Sequence, residues 1–309
     1  MQRYTLPEKP ENKRNPALSY LNSLGSDNSC VTMQNCLKQV AKLLGREDLF
    51  KTDWSALRRH HCLHIIDVLK AKELAPATIN LYLFAMKGTA REAWSMDLMP
   101  QAAYLKIDAI KCLHYARLPV GCSLTTRQCR KLLNVCEDGS LRGIRDRALL
   151  AVMMGCGLRR AEITGLNVTD WNEKEKTFTF VGKGNKQRKV FLPPTMLDPF
   201  KRWMNIRGFD EGAIFPAIYK GNGEHEFFKI RNMLPSSINR IVQRRARQAN
   251  IPEISPHDLR RTFATHMLEA GIDLFVLQQS MGHANLATTT RYDRRGDKAK
   301  EKAARALRF

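Results

Sequence analysis

The chain has 309 residues, 43% of them hydrophobic and 26% charged, the make-up of a globular protein with buried cores and room for about two domains. Its 51 Lys+Arg against 30 Asp+Glu give a formal charge of +21, which points to a polyanionic partner, nucleic acid before membrane. A polar first stretch and a longest apolar run of only residues 148–158 speak against a signal peptide and a membrane span, and eight cysteines without C-x-x-C spacing against a zinc site or disulfide framework; a reduced, cytoplasmic protein is expected.

Residues 13–112 read as a run of helices forming one domain. "NPALSYLNSL" opens after Asn15-Pro16, and "SCVTMQNCLKQVAKLLG" closes on Gly45. "WSALRRHHCLHIIDVLKAKEL" carries apolar residues at helical spacing, and "APATINLYLFAMKGTAREAWSMDLM" starts a helix at Pro76. His60, His61 and His64 share one of these helices with no carboxylate or cysteine at ligand spacing, so a packed or solvated face is expected there and no metal.

Pro119 and Gly121 mark a linker over residues 113–122, followed by a helix N-cap at Ser123 or Thr125. A second domain, residues 123–309, is expected to be mainly helical. Cys122, Cys129 and Cys136 recur every seven residues, which is helical core spacing, and "ALLAVMMGCGL" reads as a buried helix. The one strand signal is "KTFTFVGKGNKQRKVFLPP", alternating apolar and polar residues on both sides of a Gly- and Asn-bearing turn. The expected fold is therefore mainly α with a small antiparallel β-sheet.

Several basic groups in this second domain stand at defined positions. "GCGLRRAEI" puts Arg159 after a glycine-broken helix end, with Glu162 three residues on. Lys183 stands where the hairpin turns. Ser255-Pro256 reads as N-cap and first helical residue with Asp258 as capping partner, and that helix is expected to bury Leu259, Phe263, Met267 and Ala270. His257 and Arg260 lie one turn apart at its N-terminal end, where the helix dipole favours an anion. His283 and Tyr292 follow in "MGHANLATTTRY". Together these match the needs of phosphodiester transfer. Paired arginines hold the non-bridging oxygens bidentately, a histidine adds a contact, a tyrosine can attack, and a mobile lysine can protonate the leaving alkoxide.

The ordered set Arg159, Lys183, His257-x-x-Arg260, His283 and Tyr292 resembles the tyrosine recombinase, or phage integrase, family. "GLRRAEI", "VGKGNKQR", "HDLRRTFATHML" and "MGHANLATTTRY" are similar to its successive boxes, across the whole second domain. "ATINLYLFAMKGTAREAW" resembles the helical core-DNA-binding module of the same family. Departures are Ala161, where a hydroxyl residue is common, and Met281, where leucine is common before Gly-His. The resemblance implies an N-terminal core-DNA-binding domain and a C-terminal mixed α/β catalytic domain of the simple two-domain type, without an arm-site-binding domain. It implies that Tyr292 attacks the scissile phosphate to form a 3′-phosphotyrosine, with Arg159, Arg260 and His283 stabilising the phosphorane. Lys183 would protonate the 5′-oxygen and His257 assist the tyrosine proton, with Glu162 in support. It implies no metal, nucleotide or other cofactor. The expected partner is double-stranded DNA with inverted core sites, on which four protomers synapse through the tail of residues 293–309; no membrane partner is expected. A silent DNA-binding protein on the same fold and a type IB topoisomerase are the alternatives.

Overall fold

The structure is a computed structural model that describes residues 5–9, 14–114, 121–182, 187–220, 226–283 and 285–293. The chain divides into two compact units, Met1–Leu118 and Pro119–Phe309.

The first unit is helical. Helix α1 (Pro16–Asn22) starts where the Asn15 side chain accepts from the Ala17 and Leu18 N–H groups at 2.9 and 3.2 Å, and α2 (Asp27–Leu43) is capped by Ser26. The continuous helix expected from Trp54 is broken: a single 3-10 turn, Trp54–Ala56, precedes α3 (Arg59–Ala71), with Leu57 and Arg58 extended between them. The break is held by side chains. Trp54 is wholly buried and donates through Nε1 to Leu49 O (2.8 Å), and Arg58 Nη1 donates to the carbonyls of Ser55 and Leu57 at 2.7 and 2.8 Å. Helices α4 (Pro76–Ser95) and α5 (Gln101–Asp108) complete the unit around Leu37, Val40, Ile65, Leu83 and Met86, all within 1% of full burial.

His61 is the buried member of the histidine trio, and its Nδ1 accepts from the Arg58 N–H at 3.1 Å, closing the start of α3. Among the described residues no group of His, Cys, Asp or Glu could hold a metal ion. Burial, then the charge of neighbouring His60, holds His61 down at about 4. Between about pH 6.5 and 4 the unfolded chain therefore takes a proton that the folded one refuses, so this contribution is complete above 6.5 and is lost as pH falls through that window. His61→Asn keeps an acceptor without the titration. Its melting temperature is expected to fall less than that of the wild type between pH 7 and about pH 5, measured by thermal melts.

The second unit opens with α6 (Thr126–Asn134), capped by Thr125. Of the cysteines at seven-residue spacing only Cys129 lies on that helix; Cys136 is buried in the turn beyond it, because the helix ends at Asn134 and the core continues past it. Helix α7 (Leu141–Cys156) is the axis of the unit, with Leu149, Leu150, Val152 and Met153 fully buried. The short α8 (Arg160–Gly165) leads to a three-stranded antiparallel sheet of β1 (Trp171–Asn172), β2 (Thr177–Val181) and β3 (Gln187–Phe191), in that order. Phe178 faces Val190 and Phe180 faces Arg188 across β2 and β3, so Arg188 occupies a core-side register.

Helix α9 (Pro194–Arg207) packs on α7 and is followed by a second hairpin, β4 (Pro216–Lys220) with β5 (Glu226–Asn232), which the sequence pattern does not anticipate. The register slips between Pro216 and Ile218, β4 is only five residues, and β5 is largely exposed, so the pair leaves little sequence signal. Helices α10 (Pro235–Gln248), α11 (Pro256–Glu269), α12 (Leu274–Met281) and α13 (Leu286–Thr290) close the unit. The carboxylate of Asp146, fully buried on α7, takes Arg145 (2.7 Å), Arg244 (2.6 Å) and Arg245 (2.9 Å), tying α7 to α10.

Candidate active site

Helix α7 ends on Gly157 in the left-handed region (φ +59°), and a Cβ there would come within 2.4 Å of the Phe263 ring. The glycine thus lets the chain turn sharply against α11 and leaves Arg159 at the head of α8. Glu162 folds back on it: its Oε2 accepts from the Arg159 N–H and its Oε1 from Arg159 Nη1, both at 2.7 Å. The other guanidinium arm, Nη2, donates to Gly282 O at 3.0 Å.

Helix α11 starts as the sequence predicts, with Ser255 and Asp258 capping each other through Ser255 N–Asp258 Oδ2 at 2.9 Å. Its buried face differs from the expected one. Leu259, Arg260, Thr262, Ala264 and Leu268 are buried, Phe263 and Met267 are half-buried, and Ala270 is exposed beyond the last turn. The reason is that Arg260 itself takes the inner position. Its Nη1 donates to Gly157 O (2.5 Å), and its Nη2 lies 2.5 Å from Met281 O and 2.9 Å from His283 Nε2. His257, one turn earlier, is exposed.

A guanidinium can only donate, so His283 Nε2 is the acceptor and Nδ1 carries the proton, which it donates to Thr289 Oγ1 at 2.9 Å. Thr289 is wholly buried and fixes that tautomer. Burial, then the charges of Arg260 and Arg159, holds His283 down at about 4, so it is neutral at physiological pH. Loss of surrounding water and the Arg260 charge lower His257 as well. Burial and the Arg159 charge bring Arg260 down to about 10, still protonated near neutrality. Tyr292 stacks on His283 with ring centroids 5.9 Å apart and planes 10° from parallel, and the Arg261 guanidinium carbon lies 6.0 Å from the Tyr292 ring centroid.

The structure therefore gathers Arg159, Arg260, His283 and Tyr292 into one cluster, with His257 on the exposed side of the α11 start. Lys183 and the tail from residue 294 onward lie outside the described residues.

Two members were not picked out from the sequence. Arg188, on β3, donates through Nη2 to Glu162 Oε2 at 2.6 Å and through Nη1 to Met281 O, with its guanidinium carbon 4.9 Å from the Phe180 ring centroid. An arginine in register with core-facing Val190 was the available signal. Thr289 offered none, since nothing in "NLATTTRY" says which hydroxyl turns inward.

The C-terminal end of α12 organises the cluster. Gly282 caps it in the left-handed region (φ +61°), and the Met281 and Gly282 carbonyls receive all three arginines. A Cβ on Gly282 would stand 2.4 Å from Arg188 Nη1. Gly282→Ala is expected to cost about 1–2 kcal/mol of stability from the backbone alone. Thermal melts check the loss.

A sequence model of the phage integrase family matches residues 123–298. The tyrosine recombinase XerA of Pyrococcus furiosus is 33% identical over 240 residues, spanning 75% of this chain and 74% of that protein. The tyrosine recombinase XerC of Proteus mirabilis is 28% identical over 274 residues, 85% of this chain and 83% of the relative. Among solved structures, the Tn1549 transposon integrase in complex with transposon right end DNA superposes with a TM-score of 0.68 at 17% identity, covering 95% of this chain and 99% of that one. A lambda integrase dimer bound to a COC′ core site gives a TM-score of 0.68 at 14% identity, covering 90% and 93%. These two likenesses are of fold.

Proposed function

Given that the chain belongs to the phage integrase family, we propose that Tyr292 is the nucleophile of its DNA cleavage and rejoining. Membership makes the protein a site-specific tyrosine recombinase acting on DNA, with the mainly helical fold and small antiparallel sheets of that family. The observation that carries the assignment of the site is its charge. Two arginines, Arg159 and Arg188, pair with one carboxylate, Glu162, and a third, Arg260, held by the Gly157 and Met281 carbonyls, joins them in a half-buried pocket. Such an excess is relieved by an anion that brings its own oxygens, and a phosphodiester passing to a phosphorane gains negative charge on those oxygens.

In this reading the Tyr292 oxygen attacks phosphorus as the 5′-oxygen leaves, giving a 3′-phosphotyrosine and a free 5′-hydroxyl. The phosphotyrosine conserves the bond energy, and attack by a 5′-hydroxyl reverses the step on a new strand. Arg159 and Arg260 hold the non-bridging oxygens. Exposed His257, lowered and therefore neutral near pH 7, is suited to take the tyrosine proton. Lys183 protonates the departing 5′-oxygen. His283 enters differently from a simple oxygen-facing donor: with Nε2 accepting from Arg260, it sets that guanidinium and donates to a phosphate oxygen only once a proton sits on Nε2.

The same reading makes residues 13–112 the core-DNA-binding domain, residues 123–309 the catalytic domain and residues 113–122 the linker. It has four protomers synapsing inverted core sites in the cytoplasm. A groove of about 1230 Å³ beside the site supports the contact between protomers, since Phe191, Phe263, Met267, Phe275 and Val276 line it and offer an apolar seat to a docking segment. No helix among the described residues is long and apolar enough to cross a membrane. The test is a nicked suicide substrate: the trapped protein–DNA adduct, digested and sequenced by mass spectrometry, should carry DNA on Tyr292. An adduct on any other residue overturns the assignment.

A further inference from the structure

We propose that Arg188 is a positioning residue of the recombinase: its guanidinium holds the Glu162 carboxylate and the Met281 carbonyl, the two acceptors that set Arg159 and Arg260. The proposal rests on the reading of those two arginines as the phosphate-binding pair.

The strand pattern puts an arginine where a core residue belongs. Arg188 stands opposite Phe180 and two residues before Val190, both buried, and its side chain is only 10% exposed. Stability alone would not choose it. A buried ion pair is often replaced by apolar residues at no loss, and this guanidinium is desolvated beside two others, which lowers its pKa. Its Nε is buried with no partner among the described residues. What the fold gains in return is geometric. Glu162 Oε2 takes Arg188 Nη2 at 2.6 Å and the Arg159 N–H at 2.7 Å, while Oε1 takes Arg159 Nη1 at 2.7 Å. Met281 O takes Arg188 Nη1 and, at 2.5 Å, Arg260 Nη2.

Arg188 thus touches the acceptors of both phosphate-binding arginines while leaving their remaining N–H groups to the DNA. Its fork spans acceptors from two elements, Glu162 of α8 and Met281 at the end of α12, and the face of Phe180 fixes its plane. A lysine, whose three donors radiate from a single nitrogen, cannot span the two acceptors as the planar fork does. Without Arg188 the Glu162 carboxylate, 7% exposed, keeps Arg159 as its sole cationic partner among the described residues and draws that guanidinium inward, away from the phosphate.

The test compares two scissile groups, an ordinary phosphodiester and a methylphosphonate carrying one uncharged position, supplied as both stereoisomers. The neutral group asks less of the arginines, so a variant whose fault is a misplaced arginine recovers on it. Arg188→Gln is expected to bind its site within about threefold of wild type and to form adduct roughly thirtyfold more slowly on the diester, the gap closing to about fivefold or less on the phosphonate. Arg188→Lys should fall between, and carries the same comparison should the Gln variant melt early. Arg159→Ala, run alongside, must show the same narrowing. If it does not, the phosphate-binding reading of Arg159 fails. If it narrows while Arg188→Gln shows an equal deficit on both substrates, or none on the diester, the positioning role alone is overturned.

Discussion

Tyr292→Phe is expected to abolish covalent adduct formation, a loss of at least about ten-thousandfold, while specific DNA binding stays near the wild-type level. The substitution removes one oxygen and keeps the ring. Stacking on His283 at 5.9 Å and packing against the cluster of Ala264, Leu268, Leu277 and Met281 are properties of the ring, and the side chain makes no hydrogen bond to a described residue. Folding and phosphate contacts therefore have no reason to change. Wild-type protein on a suicide substrate should give a species that survives denaturing gels and disappears with protease; the Phe variant should give none. Adduct from the Phe variant would mean that another side chain attacks.

Lys183→Ala carries the second large effect. General acid catalysis contributes about 10² to 10⁴ in rate, and an alkoxide leaving group needs that help. The variant is expected to cut ordinary DNA some thousandfold more slowly, and to recover to within roughly tenfold of wild type when sulfur replaces the bridging 5′-oxygen. A thiolate leaves without protonation, so the missing acid no longer matters. Persistence of the full deficit on the sulfur substrate would remove Lys183 from the chemistry and make it a DNA contact.

The charge ledger of the site explains why its histidines and arginines behave as they do. Burial, then the charges of the neighbouring arginines, holds His283 down at about 4, and burial with the Arg159 charge brings Arg260 down to about 10. On the proposed reading these arginines form a positive pocket for a phosphate, and the backbone carbonyls of Gly157, Met281 and Gly282 hold them in place.

Much of this was legible in the residues themselves. Asn15, Thr125 and the Ser255–Asp258 pair cap helices through contacts a few positions away, so short-range chemistry decides where α1, α6 and α11 begin. Gly157 and Gly282 end α7 and α12 in the left-handed region for the same reason. The residue types at Arg159, Lys183, His257, Arg260, His283 and Tyr292 suited phosphodiester transfer, and the resemblance of their boxes to the tyrosine recombinase family named the reaction. Helical content and the β2–β3 hairpin followed from periodicity.

What the sequence left open depends on partners far along the chain. The face that α11 buries is set by Arg260 reaching carbonyls 103 and 21 positions away, which no local apolar count can foresee. The second hairpin forms although β5 is mostly exposed and its register slips, so its pairing has no periodic trace. Arg188 becomes part of the site only when β3, α8 and the end of α12 meet, and Thr289 only when His283 turns its Nδ1 toward it. Local hydrogen bonds and glycine stereochemistry are written in neighbouring residues. Which acceptors a buried guanidinium finds is decided by packing alone, because desolvation forces it to take whatever carbonyl or carboxylate the fold brings within reach.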